Sequence, residues 1–330
     1  MAVYPTTPVP DGSTARRLEA YDVLVYQEGG HYYARDRQGN LVCVDSPTAC
    51  LQEAIFLLTD GGKIFIRTGV YSIKQQIVIN RSGVMIEGEQ LGYNVPGSKL
   101  VLDGDFHMIL ITGSPYFTYI KNLWLYGNDR ARSAIYIANA NDVTIEHCFI
   151  HRFGSAYIQI VGSMHIIRII GNWIETGGGQ GVWLGGTSTV ETVFILDNYF
   201  YDVLNAVVLS QYPQAIFSVI IGNNIIRSTK QHAIIIQKGD LVIVKGNAIL
   251  DAGSLSPNTY DGIRLENVKG VVVNGNSIIN YRTQNMKYAI EEIGTADYNV
   301  ITSNVVKSAT SPAIVKLGGN TIAANNVTLP

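Results

Sequence analysis

Short hydrophobic runs that end in asparagine recur along this chain with little variation. Examples are VFILDN at Val193, VIIGNN at Val219, VIVKGN at Val242 and VVVNGN at Val271. Hydrophobic residues fill at least every second position of each run, as in a β-strand with a buried face. Aligned on apolar–x–apolar–x–x–Asn, the runs place asparagine at Asn172, Asn198, Asn224, Asn247, Asn276, Asn304 and Asn325. Cys148 and Leu123 hold the same place in two earlier runs.

A second series of runs, each beginning with a small residue, alternates with the first. Its members start at Ala134, Gly181, Ala206, Ala233, Gly262, Ala289 and Ala313, with Ala156 as an imperfect member. Two strands in each repeat of about 25 residues, with no helical period between them, predict an all-β parallel β-helix of about nine to ten coils. Coils then stack at roughly 4.8 Å. Each buried asparagine amide would meet the one in the next coil, which predicts a hydrogen-bonded ladder.

The pattern resembles the right-handed parallel β-helix of the pectin-lyase-like superfamily over about residues 45 to 330. The onset SPTACLQEAIFLLTDGGKIFIRTGVYSI is also similar to that family's short helix, glycine turn and first strand. Ser46 or Thr48 is a suitable helix cap, and Gly61 and Gly62 are expected to end the helix. This helix would cover the open end of the apolar column.

Four segments are therefore predicted along the chain. Residues 1–19 form an extended arm, which is expected to be flexible unless a larger assembly holds it. Residues 20–47 alternate over three short strands with glycine turns, which predicts a β-meander. Residues 48–62 are the capping helix, and residues 63–330 are the β-helix.

Composition narrows the function classes. The formal charge is −2 and 15% of residues are charged, which gives no electrostatic footprint for a nucleic-acid partner. No apolar run is long enough to predict a membrane span. The N-terminus MAVYPTTPVPDGST lacks the basic-then-apolar order of a signal peptide, so either export does not use that route or a leader has been removed. Cys43 and Cys50 are either reduced thiols or a small disulfide loop, whereas Cys148 is expected to be buried.

The strands that begin with a small residue are where the resemblance implies carbohydrate-processing residues. Their first outward positions are Tyr136, Gln159 and Trp183. Aromatic faces stack on sugar rings and an amide supplies directional hydrogen bonds, so we expect a carbohydrate platform there. The alternative is a set of ordinary surface aromatics.

The stretch NTYDGIRL, residues 258–265, is similar to the Asn-Thr-Asp-Gly motif of polygalacturonase-like glycoside hydrolases, with an extra tyrosine. The resemblance makes Asp261 a candidate catalytic residue, with Glu291 or Glu292 one coil later as the second carboxyl group that hydrolysis needs. Arg264 is placed to orient an acidic sugar. A lyase would instead need a base beside a cation, for which Arg264 and Lys287 are nearest. The alternative is an acidic residue that only opens a strand and bonds to the backbone.

A second group of candidates surrounds a glycine loop. Trp173 and Glu175 precede TGGGQG, and Tyr201 and Asp202 follow one coil later, which suits a sugar-binding cleft or a second carboxylate pair. His147 and His151 lie in a coil turn rather than on a helix, so a metal pair is not predicted. No cofactor is predicted, and Ca²⁺ stays open because no carboxylate cluster identifies a site.

The asparagine-bearing strands place apolar residues outward, where a lone β-helix would present polar ones to water. The outward row reads Phe194, Ile220, Ile243, Val272 and Val300. A contiguous apolar stripe is typical of an interface, so we expect side-by-side assembly with copies of the chain, as a homotrimer. The alternative is a stripe covered by the chain's own loops.

The sequence leaves two functions open. The favoured one is a glycan-recognising structural or receptor-binding protein, tailspike-like, extracellular or on a virion surface, whose partner is a polysaccharide or surface glycan. The alternative is a polysaccharide hydrolase or lyase of the same fold. Fold alone does not decide between them.

Overall fold

The chain winds into a right-handed parallel β-helix with three sheet faces, named here A, B and C in the order in which each coil visits them. The predicted fold class is confirmed. The computed structural model describes residues 21–89, 97–186, 189–212, 215–281 and 285–330. The predicted arm at residues 1–19 lies outside the described residues.

Sheet A contains the strands that run into the asparagine positions. They are Gly62–Ile66, Val84–Gly88, Tyr116–Lys121, the end of Ile135–Glu146, Ile167–Ile170, Val193–Leu196, the end of Ala215–Gly222, Asp240–Lys245, Val272–Asn274, Val300–Thr302 and Ile322–Ala324. Sheet B follows directly after the asparagine corner. Its strands are Gly69–Ile73, Ser98–Leu102, Trp124–Tyr126, Phe149–His151, Trp173–Glu175, Tyr199–Tyr201, Ile225–Arg227, Ala248–Leu250, Ser277–Ile279, Val305–Lys307 and Val327–Thr328.

Sheet C contains the strands that begin with a small residue. They are Ile77–Ile79, Ile109–Thr112, the start of Ile135–Glu146, Ala156–Met164, Gln180–Gly185, Val207–Leu209, Ile234–Ile236, Ile263–Glu266, Ile290–Ile293 and Ile314–Val315. The two-residue strand Thr189–Val190 joins Met164 to Ala215 at the border with sheet A. Neighbouring strands in all three sheets are parallel, because each coil repeats the path of the one before it.

The inward positions form one apolar column along the axis. Ile195 pairs with Ile221 and Ile221 with Val244, and all three side chains are fully buried. Burying each such side chain contributes about 1.5–3 kcal/mol, so the regular stacking of β-branched residues is the main stabilising term of the coil.

The corner between sheets A and B carries the asparagine ladder. In six successive steps, the backbone N–H and the Nδ2 of one asparagine both donate to the Oδ1 of the next, at 2.9–3.0 Å. Each Nδ2 also donates to a carbonyl of the preceding coil, as Asn224 does to Ile195. Cys148 begins the ladder, since its N–H donates to Asn172 Oδ1.

The ladder ends at Asn326, and the predicted Asn325 is wrong by one position. The residue before each ladder asparagine turns the corner with a positive φ: Gly171, Asp197, Asn223, Gly246, Gly275, Ser303 and Asn325. Left-handed backbone favours glycine, asparagine and aspartate. In the sequence AANN, Asn325 therefore makes the corner and Asn326 points inward.

The N-terminal region closes the first coil. Val23–Glu28, His31–Asp36 and Leu41–Asp45 form the antiparallel meander, and the first of them also pairs in parallel with Gly62–Ile66. The helix spans Pro47–Leu57, and Ser46 Oγ accepts the Ala49 N–H at its N-terminus.

The helix and the residue that follows it pack on the end of the apolar core. Leu51, Ala54, Ile55 and Leu58 are all buried. The helix ends before Gly61 and Gly62, because Leu58 leaves the helical conformation and its N–H bonds to the Ile55 carbonyl. These two glycines, both with positive φ, make the turn into sheet A.

A disulfide joins Cys43 to Cys50, with a Cα–Cα distance of 5.2 Å, and ties the third meander strand to this helix. It decides between the two states that the sequence left open. Cys148 is a free thiol and is buried, as expected. Within the part of the chain that the structure describes, no helix has both the length and the apolar character needed to cross a membrane.

Candidate functional site

One row of outward side chains runs the length of sheet C. Strand register aligns its members one per coil: Tyr136, Gln159, Trp183, Val208, Ile235, Arg264, Glu291 and Val315. Two apolar positions, Val208 and Ile235, separate the aromatic end of this row from its charged end. The two ends are therefore about 14 Å apart, at the usual spacing between strands.

The charged end of the row forms a compact cluster around Arg264. Its Nη1 lies 3.7 Å from Asp261 Oδ2 and 3.8 Å from Glu291 Oε2. Lys287 Nζ approaches the other oxygen of Glu291 at 3.7 Å. The structure thus brings together the three predicted catalytic candidates, with Lys287 beside them.

Asp261 is fully buried, yet one of its oxygens has no hydrogen-bond partner. Its Oδ1 accepts the Tyr288 N–H at 3.3 Å, whereas Oδ2 is unpartnered. A buried polar atom without a partner is unusual and commonly marks a site where a ligand or proton completes the bonding. The alternative stated from the sequence, an aspartate that bonds to the backbone, describes Oδ1 but not Oδ2.

His232 is a member of the cluster that no sequence motif had indicated. Its Nδ1 accepts the backbone N–H of Asp261 at 2.9 Å and lies 3.3 Å from Asp261 Oδ2. Because the Nδ1 lone pair is already used by this N–H, the neutral ring carries its proton on Nε2. His232 precedes Ala233 as Asp261 precedes Gly262, so aligning the residue before each small residue would have found it.

Glu291 has a pKa that is raised above the ordinary carboxyl value. Burial of the carboxyl group is the main cause, and the Asp261 carboxylate adds to it, while Lys287 and Arg264 act in the opposite direction. A carboxyl group with a raised pKa that lies beside a second carboxyl group is typical of acid–base sites.

Glu292, which the sequence offered in place of Glu291, faces the interior, and both of its carboxylate oxygens accept hydrogen bonds. Its oxygens accept hydrogen bonds from Asn299 Nδ2, Thr321 Oγ1 and the backbone N–H groups of Leu317 and Gly318, at 2.7–3.1 Å. Alternation along the strand therefore gives the two adjacent glutamates different directions: Glu291 faces outward and Glu292 faces the core.

The side chains at the aromatic end of the sheet C row are each partly buried. The Tyr136 ring centroid lies 4.3 Å from that of His107, and Gln159 Oε1 accepts the Ser133 hydroxyl at 2.7 Å. The Trp183 ring lies over Gly185, where a Cβ would come within 2.2 Å of it. These contacts hold the rings against the sheet.

The remaining predicted carbohydrate residues lie on a different face. Trp173, Glu175 and Tyr201 project from sheet B, and Asp202 lies just beyond its edge. Trp173 and Trp183 are close in sequence, but the glycine turn between them carries the chain from sheet B to sheet C. The two groups of carbohydrate residues expected from the sequence thus lie on different faces.

No metal centre is apparent in the described ranges, which contain no group of three or more His, Cys, Asp or Glu side chains arranged to hold an ion. His151 faces outward on sheet B, where its ring stacks on Phe149 at 5.5 Å, and His147 lies at a corner with positive φ.

The apolar row on sheet A is in register over five coils. Phe194, Ile220, Ile243, Val272 and Val300 are aligned one above another, and each is partly exposed. Beside this row, Leu241 is 71% exposed and Phe217 40% exposed. The stripe therefore widens toward the turn that enters sheet A.

The comparisons with known proteins agree with this architecture. The family model "Right handed beta helix region" matches residues 54–213. No curated protein sequence matches the chain significantly.

Among solved structures, the chain is similar to ORF18 of Geobacillus virus E2, with a TM-score of 0.68 and 14% identity, covering 86% of this chain and 56% of that one. It is also similar to the enzymatically active domain of tailspike protein 2 of bacteriophage CBA120, with a TM-score of 0.60 and 14% identity, covering 94% and 49%. An alginate lyase from Paenibacillus sp. str. FPU-7 has a TM-score of 0.59 and 15% identity, covering 86% and 98%.

The chain therefore spans about half of each of the two phage chains and nearly all of the lyase. At these identities the likeness shows the fold, a right-handed parallel β-helix, and not the activity.

Proposed function

We propose that this protein binds a polysaccharide along sheet C and cleaves it at the cluster of Asp261, Arg264 and Glu291. The observation that carries the proposal is the pairing of a buried carboxylate that has an unpartnered oxygen with a second carboxyl group whose pKa is raised, both around one arginine. The similarity in fold to an alginate lyase and to a phage tailspike domain supports a glycan as the substrate.

The two carboxyl groups have different roles in this proposal. Glu291 retains its proton to a higher pH than an ordinary glutamate, so it serves as the general acid that protonates the leaving oxygen. Asp261, buried beside a cation, serves as the base or nucleophile. Arg264 and Lys287 bind the carboxylate of an acidic sugar and hold it against the cluster.

Product analysis with two variants tests this proposal. Wild-type protein is incubated with alginate, polygalacturonate, dextran and galactomannan, and reducing ends and unsaturated products are measured separately. Unsaturated products identify a lyase, and reducing ends alone identify a hydrolase. Glu291→Gln and Asp261→Asn are each expected to lower the rate by about 10²–10⁴-fold, the usual contribution of an acid or base.

Glu191→Gln is the matched control, because Glu191 is exposed and pairs with His165 on another face. It should cleave at the wild-type rate. Release of products by Glu291→Gln at the wild-type rate would contradict the assigned role, and no release from any substrate by the wild type would favour recognition without cleavage.

The second candidate function is recognition by an assembled, tailspike-like particle at a virion or cell surface. The in-register apolar stripe on sheet A favours it, because three chains packed side by side would cover five coils of apolar side chains. Light scattering should then give three times the chain mass of 36.1 kDa. Ile220→Glu should dissociate the trimer, and a monomeric wild type at micromolar concentration would contradict it.

A further inference from the structure

Sheet B carries a continuous aromatic surface that the cleavage site on sheet C does not use. On four consecutive coils its first outward position is Trp124, Phe149, Trp173 and Tyr199, and the second includes Tyr126 and Tyr201. Neighbouring rings are in contact: Phe149 and Trp173 lie 5.8 Å apart and Trp173 and Tyr199 5.1 Å apart, both edge to face. This set is named here the aromatic face.

One end of the aromatic face is closed and the other is open. Lys99 Nζ lies over the rings of Trp124 and Tyr126, at 4.1 and 4.3 Å from their centroids, so this end is covered by the protein's own cation. At the other end Trp173 is 39% exposed and Tyr201 38% exposed. A ligand would therefore meet the face at Trp173, Tyr199 and Tyr201.

The open end is held rigidly. Glu175 Oε2 accepts the Trp173 Nε1–H at 2.6 Å, and this glutamate is itself buried. The Glu175 carbonyl accepts the hydroxyl of the buried Tyr157 at 3.0 Å. An indole ring fixed at its edge loses little conformational freedom when a ligand stacks on it, which favours binding.

The glycine loop after Glu175 leaves this surface uncovered. A Cβ on Gly177 would lie 2.5 Å from the Tyr157 hydroxyl, and one on Gly179 would lie 2.7 Å from the Ser155 carbonyl. These two positions therefore require glycine, since the loop lies directly on the coil below. A loop with larger side chains would have to lift away from this coil and across the neighbouring rings.

The charges around the open end select the ligand. Two carboxyl groups, Glu175 and Asp202, flank the rings. Lys230 is already engaged, because its Nζ donates to the Gly177 carbonyl at 2.6 Å and lies 3.8 Å from Asp202. Arg227 follows Tyr201 one coil further on. Carboxylates accept hydrogen bonds from sugar hydroxyls but repel uronates, so a neutral sugar fits here better than an acidic one.

We infer that the aromatic face is a second glycan-binding site, separate from the cleavage cluster, which stacks neutral sugar units on Trp173 and Tyr201 and bonds their hydroxyls to Glu175 and Asp202. The inference rests on the proposed function in taking a polysaccharide as the ligand. The rows run along the helix axis with one ring per coil, so a linear chain can contact several rings in succession.

Affinity electrophoresis tests the inference in the Glu291→Gln background, where a probe is not consumed. The neutral probes are dextran and galactomannan, and the acidic ones are alginate and polygalacturonate. We expect a neutral probe to retard the protein, and Trp173→Ala and Tyr201→Ala each to weaken that binding about tenfold, the loss of one aromatic stacking contact. Tyr298→Ala, which removes a tyrosine that is 57% exposed elsewhere, is the control and should bind normally.

Trp173→Phe is the control for misfolding. It keeps an apolar ring at this position, so it should bind more tightly than Trp173→Ala. A shift of tryptophan emission on adding the neutral probe should be present in the parent protein and lost in Trp173→Phe. Three results would overturn the inference. They are that no neutral probe retards the protein, that Trp173→Ala leaves the binding unchanged, or that the protein prefers the acidic probes and this preference depends on Trp173. A change in molecular mass caused by Trp173→Ala would also overturn it, because the face would then be a contact between copies.

The two proposals fail in different ways. If Glu291→Gln abolishes cleavage but Trp173→Ala leaves binding unchanged, only the binding role of the aromatic face is contradicted. If cleavage survives in Glu291→Gln but Trp173→Ala weakens binding, only the catalytic role of the cluster on sheet C is contradicted.

Discussion

Two columns of polar side chains run through the corners of this β-helix, and they differ in how completely they are hydrogen-bonded. Between its two ends, the asparagine ladder uses every amide atom: each Oδ1 accepts two N–H groups, and each Nδ2 donates to a neighbouring amide and to a carbonyl. The second column lies at the entry to sheet C and contains, one per coil, the half-buried Gln180 and the buried Asn205, His232 and Asp261. Here Asn205 Oδ1 and Asp261 Oδ2 have no partner.

This difference separates a structural column from a candidate site in adjacent parts of one coil. A buried amide column that satisfies itself stabilises the fold and offers nothing to a ligand. A buried column with open acceptors is less favourable for folding, and its open atoms are available to a ligand or proton. A buried polar residue is therefore a poor indicator of a site, whereas a buried polar atom that lacks a hydrogen-bond partner is a useful one.

The largest effect is expected when the ladder is interrupted. Asn224→Leu removes the acceptor of both the Asn198 N–H and its Nδ2, and it removes one donor to Asn247. Each unsatisfied buried group costs about 1–3 kcal/mol, so we expect a loss of roughly 3–5 kcal/mol in the free energy of unfolding. Urea denaturation followed by circular dichroism measures this loss.

The neighbouring Asn223 offers a matched control for the ladder. Its side chain is exposed and its φ is +55°, which aspartate tolerates, so Asn223→Asp should change stability by less than about 0.5 kcal/mol. Equal midpoints for the two variants would contradict the assignment of stability to the ladder.

A smaller effect is expected from the two adjacent glutamates. Glu292→Ala removes the acceptor of the Gly318 N–H and of the Thr321 hydroxyl and one of the two acceptors of Asn299 Nδ2, which should cost about 2–4 kcal/mol. Glu291→Ala removes an outward-facing but largely buried carboxyl group that has only long ion pairs, and it leaves no hydrogen-bond donor without its acceptor, so it should cost less than Glu292→Ala. Thermal unfolding of both variants compares them, and a larger loss for Glu291 would reverse the assigned positions.

The smallest effect is a pH dependence at Glu291. Because its pKa is raised in the folded protein, the native state holds this proton at pH values where the unfolded chain has released it. The free energy of unfolding should therefore fall as pH rises from the ordinary glutamate pKa through the raised one. Comparing wild type with Glu291→Gln by urea denaturation across this range isolates the effect, since the glutamine variant lacks this contribution.

If the difference in the free energy of unfolding between wild type and Glu291→Gln does not change over that pH range, the pKa of Glu291 is not raised. A difference of the opposite sign would mean that the cations Arg264 and Lys287 outweigh burial.

Much of the architecture is predictable from the sequence because its period is short and strict. The outward row from Tyr136 to Val315 and the apolar row from Phe194 to Val300 are both in register, since a strand repeats every two residues and each coil repeats the last. The one error in the ladder, Asn325 for Asn326, arose where two asparagines are adjacent and only the corner conformation distinguishes them.

The candidate sites were less predictable. His232 has no local motif and becomes relevant only because its coil stacks on that of Asp261. Trp124, Tyr126 and Phe149 extend the aromatic face beyond Trp173, but their alignment depends on strand register between coils. Alternation places Glu291 outward, but the hydrogen bonds that use both oxygens of Glu292 depend on residues of other turns.

The sequence by itself thus determined the coil, its repeat and the inward or outward direction of most side chains, because these follow from alternation and from the need to bury apolar groups. The tertiary structure decided which outward residues share a face and which buried polar atoms lack partners. Those properties depend on where each turn carries the chain and on contacts between residues one coil or more apart, which no local pattern records.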